Sequence, residues 1–160
     1  MKKMLIAIDG SKGALKGVEY VAEQFAGISD LRITLFHVTP GVPPEMWDDA
    51  HILNEGEKAA RKTVLEKWEA NQKITTKATF QAAIEIIVQK GINREQIETK
   101  SIREPMSDVA DCIVTEARNG AYQTLVIGRC GHSSTVHFLM GSIASRIINR
   151  GAGMAICVVE

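Results

Sequence analysis

Four short apolar runs, at residues 4–8, 31–38, 124–127 and 155–159, and a more polar strand-like stretch at 97–102 alternate along the chain with longer segments whose apolar residues recur at helical spacing. No other feature narrows the fold as much. The runs are too short for helices and rich in Ile, Leu and Val, as strands buried on both faces are. Strands that alternate with helices are joined by right-handed crossovers, which leave a mostly parallel sheet covered on both faces. The expected class is therefore α/β, with an open five-stranded sheet.

The punctuation between the runs agrees with this. Asp9-Gly10-Ser11 is a turn and helix-cap cluster, and the segment 12–26 places Leu15, Val18, Val21, Ala22 and Phe25 on one face before Gly27. A helix is expected after Pro105, with Val109, Cys112, Ile113 and Ala117 on its face and Asn119-Gly120 at its end. Another is expected over 142–150, bearing Ile143 and Ile147. The middle is less regular. Residues 40–50 hold three of the chain's four prolines and read as an ordered surface loop or lid, with Met46 and Trp47 placed to close over a ligand or pack on the domain. A polar helical segment over about 52–72 follows, "KITTKAT" breaks its period, and a second apolar segment over 80–89 ends at Gly91. Two helices are thus expected in an extended crossover at about 40–92, within a single domain over 1–160.

Composition sets the class of partner. A chain of 160 residues buries enough surface for one core without disulfides. No window approaches the ~20 apolar residues of a membrane span, and the N-terminus lacks the cleavage site of a signal peptide, so no membrane association and a cytoplasmic location are expected. Nineteen basic residues balance nineteen acidic ones, which argues against nucleic acid as a partner. Cys112, Cys130 and Cys157 are few and widely spaced, without C-x-x-C, so free thiols are expected and no metal site.

The chemistry concentrates in "VIGRCGHSSTVHFLMGSIASRIINR", residues 126–150. In open parallel sheets ligands gather outside the carboxyl ends of strands, and both Asp9 and the Gly128 loop follow such ends. A loop that wraps phosphates needs inward backbone N–H groups and close approach, which glycine permits cheaply. Gly128 and Gly131 meet that need. A helix opening at Gly141-Ser142 adds unpaired N–H groups and about half a positive charge, so an anion site forms without a lysine. No G-x-x-x-x-G-K-[ST] occurs, and "GAGMAI" leads into a strand, contrary to the dinucleotide fingerprint. Capping of the first helix is the plainer role for Asp9, and Ser11 competes for it. Cys130, His37, His132 and His137 have plain readings as a small tolerated side chain and ordinary histidines.

With "MLIAIDGS" at the N-terminus, "LFHV" at 35–38, G-x2-G-x9-G-S from Gly128 to Ser142 and the closing "ICVV", the chain resembles the universal stress protein family, of the ATP-binding type. The resemblance covers the whole chain. It implies a Rossmann-like, adenine nucleotide alpha hydrolase-like sheet in the order 3-2-1-4-5, ATP in the crevice with Mg2+ or Mn2+ carried on the phosphates, and a homodimer through the C-terminal strand. It puts Ala7, Ile8 and Val38 around adenine and Asp9 at the ribose or near a phosphate-bound cation. Ile127, Gly128 and Arg129 fall in the loop under the ribose and phosphates, Gly131, Gly141 and Ser142 cradle the phosphates, and Ile143 follows on the helix. The chain departs from the family in Gln123 or Thr124, where an aspartate is common, in "GMA" where Cys-Pro is common, and in Glu104 where a glycine is common.

Three functions are then to be weighed. A dimeric ATP-binding stress-response or sensor module leads, because Arg129 is the only lysine or arginine between Gly128 and Ser142 and no second carboxylate adjoins Asp9 in sequence. A slow ATP hydrolase and a nucleotide-free dimeric scaffold are the alternatives, so at most weak hydrolysis and no dedicated catalytic residue is expected.

Overall fold

The computed structural model describes residues 2–39, 41–42, 53–103, 108–131, 140–151 and 153–160. Its strands are β1 (Lys2–Ala7), β2 (Leu31–Thr39), β3 (Ile97–Arg103), β4 (Thr124–Gly128) and β5 (Ala155–Val159), each within two residues of the segment expected for it. All pair in parallel, in the order β3-β2-β1-β4-β5. Among the described residues four α-helices connect them: α1 (Lys12–Gln24), α2 (Glu55–Gln89), α3 (Val109–Asn119) and α4 (Ser142–Arg150).

Successive side chains of a strand point to opposite faces, and here both faces are apolar. Met4, Ile6, Ile33, Leu35 and Val126 join Val18 and Val21 of α1 and Ala83 and Ile87 of α2 in one core. Leu5, Phe36, Leu125 and Ile127 join Ile113 and Val114 of α3 and Ala144 and Ile147 of α4 in the other. The helix after Pro105 rotates its buried face slightly from expectation. Ala110, Ile113, Val114 and Ala117 are buried, whereas Cys112 is half-buried.

The middle of the chain differs from the sequence expectation. Where two helices separated by "KITTKAT" are expected, one unbroken helix of 35 residues, α2, runs from Glu55 to Gln89. The physical reason is that β-branched threonines cost a helix only a few tenths of a kcal/mol each, whereas Gly or Pro is needed to stop one, and neither occurs between Glu57 and Gln89. Its start is fixed by a capping box: the Asn54 side chain accepts the Glu57 N–H at 2.9 Å, and the Glu57 carboxylate accepts the Asn54 N–H at 2.8 Å. Among the positions of the expected 40–50 loop only 41 and 42 are described, so Met46 and Trp47 lie outside the described residues.

Candidate functional site

The sheet order reverses at β1, whose neighbours β2 and β4 lie on either side, and the chain leaves β1 and β4 side by side at their carboxyl ends. A cavity of about 490 Å3 opens there. Ala7, Ile8 and Asp9 line it from the end of β1, and Val38 from β2. Ile127, Gly128, Arg129 and Gly131 line it from β4 and its loop, and Gly141, Ser142 and Ile143 from the start of α4. The fold thus brings all the sequence-named positions around one space. His132 and His137 lie outside the described residues.

Local chemistry explains the geometry. Ser11, not Asp9, caps α1: its hydroxyl accepts the Ala14 N–H at 3.2 Å. Asp9 instead accepts the Ser11 N–H through Oδ1 at 2.9 Å, across a turn in which Gly10 takes φ +82°. Its other oxygen, Oδ2, lies 2.9 Å from where a Cβ on Gly131 would sit. The Gly131 backbone therefore closes on the carboxylate in a way that a side chain would disturb.

The loop after β4 is held at both ends. Arg129 donates its backbone N–H to the Val159 carbonyl at 2.7 Å, and its own carbonyl accepts the Gly141 N–H at 2.9 Å. A Cβ on Gly141 would come within 2.9 Å of that same Arg129 oxygen. The start of α4 is thereby pinned beside the loop. Gly141 gives α4 no side-chain cap, so the N–H groups of its first turn, which no intrahelical acceptor can reach, stand at the cavity wall. The Arg129 guanidinium bonds Glu160 at 2.8 Å, toward the C-terminus. This modifies the expectation for Arg129, whose backbone shapes the loop while its charge is engaged elsewhere.

Much of the remaining lining is apolar, and the sequence reading missed most of it. Phe36, Val109, Ile113 and Met140 join Val38 there, with Ser11, Ala14, Cys130 and Ala144 completing the lining. Helical and strand periodicity marks the first three of these as core, and core residues at a strand's carboxyl end are also the ones that floor a crevice. Met140 carried no signal beyond its place next to Gly141. His37, read as an ordinary residue, is buried on the other face of β2, with Nδ1 2.8 Å from the Ile8 carbonyl and its ring edge-on to Phe80. Among the described residues no group of three or more His, Cys, Asp or Glu side chains is arranged to hold a metal ion, and no helix is long and apolar enough to cross a membrane.

The sequence profile of the universal stress protein family matches residues 1–158. The chain belongs to that family. Solved members share its fold at low identity. The universal stress protein from Archaeoglobus fulgidus superposes with a TM-score of 0.63 at 19% identity, covering 100% of this chain and 94% of that one. The Archaeoglobus fulgidus protein in complex with dAMP gives 0.60 at 20% identity, with 100% and 98% covered. A universal stress protein in complex with cAMP gives 0.61 at 16% identity, with 99% and 96% covered. No curated protein matches the chain. At these identities the likeness establishes the universal stress protein fold, and the five-stranded order found here agrees with it.

Proposed function

We propose that this universal stress protein is a dimeric, ATP-binding stress-response module. The observation that carries the reading is the start of α4, without a side-chain cap, at the wall of a cavity of about 490 Å3 that is otherwise largely apolar. An anion satisfies the free N–H groups and the helix dipole, and a planar base suits Phe36, Val38 and Ile113. The glycines fit the same ligand, since Gly131 and Gly141 stand where a Cβ would meet Asp9 or the Arg129 carbonyl and the backbone can approach phosphate. Asp9 beside a phosphate would repel it, so Mg2+ or Mn2+ carried by the phosphates is the expected companion. That two structural relatives were solved with adenine nucleotides, dAMP and cAMP, supports the class of ligand.

Binding, with at most weak hydrolysis, is favoured over dedicated phosphoryl transfer. Besides the metal, catalysis calls for a side-chain cation or base at the transferred group, and Arg129, the only lysine or arginine among the described lining residues, is paired with Glu160. Dimerisation through β5 is supported by its place at the sheet edge, where Ile156, Cys157, Val158 and Val159 are all only half-buried.

Titration of nucleotide-free protein with Mg-ATP by calorimetry tests the reading. Saturable binding near one site per chain, with a Kd tighter than about 100 µM or roughly −5.5 kcal/mol, is expected. Gly131→Val should abolish it with an unchanged circular dichroism spectrum, because the new side chain displaces the Asp9 carboxylate. A folded protein that takes up no ATP would leave a nucleotide-free scaffold.

A further inference from the structure

A second cavity, of about 720 Å3, lies on the other face of the sheet and shares no lining residue with the first. It forms because α2 sinks Ala83 and Ile87 into the core while the edge strand β3 keeps Thr99, Ser101 and Arg103 exposed. Helix and strand are bridged at one end. Arg103 bonds Glu69 at 2.8 Å and lies 5.9 Å from the centre of the Trp68 ring, which joins the carboxyl end of β3 to α2. At the other end Arg94 donates to the Ile97 carbonyl at 2.7 Å, at the start of β3.

The lining is apolar along its length and charged unevenly. Phe80 and Ile84 of α2 supply the apolar wall, extended by the methylene stems of lysines, while the Ile102 side chain packs on the other face of the sheet. Lys73 and Lys77, one turn apart on α2, stand toward the bridged end with Arg103, whereas Arg94 and Glu85 offset one another toward the far end. Among the described residues no carboxylate pairs with Lys73 or Lys77, unlike Lys90 with Glu23 and Lys100 with Glu116. In a chain of zero net charge, with Arg103 answered by Glu69 and Arg94 offset by Glu85, Lys73 and Lys77 leave a local positive field in the groove. Its size falls in the range of about 300–1,000 Å3 usual for small-molecule sites.

We propose that this groove binds a small amphiphilic anion, with a carboxylate or phosphate head at Lys73 and Lys77 and an aliphatic or aromatic body along Phe80 and Ile84. A neutral apolar molecule leaves the two ammonium groups unanswered. A bare inorganic ion leaves the apolar wall in water. The groove is separate from the nucleotide cavity, so its occupancy does not depend on the ATP reading.

The test is calorimetry of the full chain with dodecyl phosphate, dodecanoate and the uncharged dodecyl maltoside, each below its micelle concentration, with and without saturating Mg-ATP. Both anions should saturate near one site per chain and bind at least about tenfold tighter than the maltoside. The stronger of the two identifies the head group as phosphate or carboxylate. Lys73→Glu with Lys77→Glu, both exposed, should weaken the anions at least about tenfold at an unchanged circular dichroism spectrum. Thr99→Glu, which sets a carboxylate on the opposite wall, should act alike. Mg-ATP should leave the anion affinity unchanged. Equal binding of the maltoside, equal binding by the charge-reversed variants, displacement by ATP, or no saturable anion binding would each overturn the proposal.

Discussion

Gly13 and Gly128 show what single residues do in this molecule. A Cβ on Gly13 would stand 2.1 Å from the Cys130 carbonyl oxygen, and one on Gly128 would stand 2.5 Å from the Gly13 carbonyl carbon. Two absent side chains thus let the first turn of α1 press on the loop after β4. Alanine ordinarily favours a helix over glycine by about 1 kcal/mol. Here Gly13→Ala should instead destabilise by about 1–3 kcal/mol in urea denaturation, as overpacking does, and weaken ATP binding as the loop shifts. A variant more stable than the parent would mean that the loop yields freely. Gly128 and Gly141 were legible in the sequence because they punctuate a strand end and a helix start, and Gly131 because it recurs in the loop between them. Gly13 was not, since it lies inside an amphipathic segment and its partner is distant along the chain. The Asp9 turn was half-legible: Asp-Gly-Ser announces a cap, but only the folded backbone decides that Ser11 caps while Asp9 holds the turn.

At the scale of elements, strands were read closely because their apolar runs are short and bounded by turns, whereas α2 was divided by a propensity signal too weak to end a helix. The continuity of α2 can be tested at Thr75, which is exposed and outside both cavities. Thr75→Pro should cost about 3 kcal/mol in urea denaturation if the helix runs through, and little if the chain breaks there. A second contact joins α3 to α4. Asp108 caps α3 through the Ala110 N–H at 2.9 Å and also accepts Arg146 at 2.8 Å and Arg150 at 3.0 Å. Burial pushes its carboxyl up, but the Ala110 N–H and the guanidinium groups of Arg150 and Arg146 outweigh this, leaving the acid below its ordinary value. A carboxyl whose folded pKa is depressed stabilises fully above its unfolded value, about 3.9, and loses that contribution as pH falls through the folded value. Asp108→Asn should therefore melt below the parent at neutral pH, with the gap closing below about pH 4. A gap constant from pH 7 to 3 would remove the linkage.

At the scale of the whole molecule, a sheet that ends in a half-buried apolar strand calls for a partner. Light scattering at micromolar concentration should give twice the 17.5 kDa chain mass. A monomer would leave β5 uncovered and the dimer reading without support. The long crossover has a different kind of consequence. Because α2 is one rod, its two ends are locked in rotational phase: Trp68 and Glu69 meet Arg103 only while Ala83 and Ile87 face the core. Each residue advances a helix by about 100°, so excising one would swing Trp68 away from β3, whereas excising seven or eleven would return it to within about 20°. Within α2, a change of length therefore preserves the rotational phase of the two ends only in quantised steps, and α2 keeps time for the groove it walls.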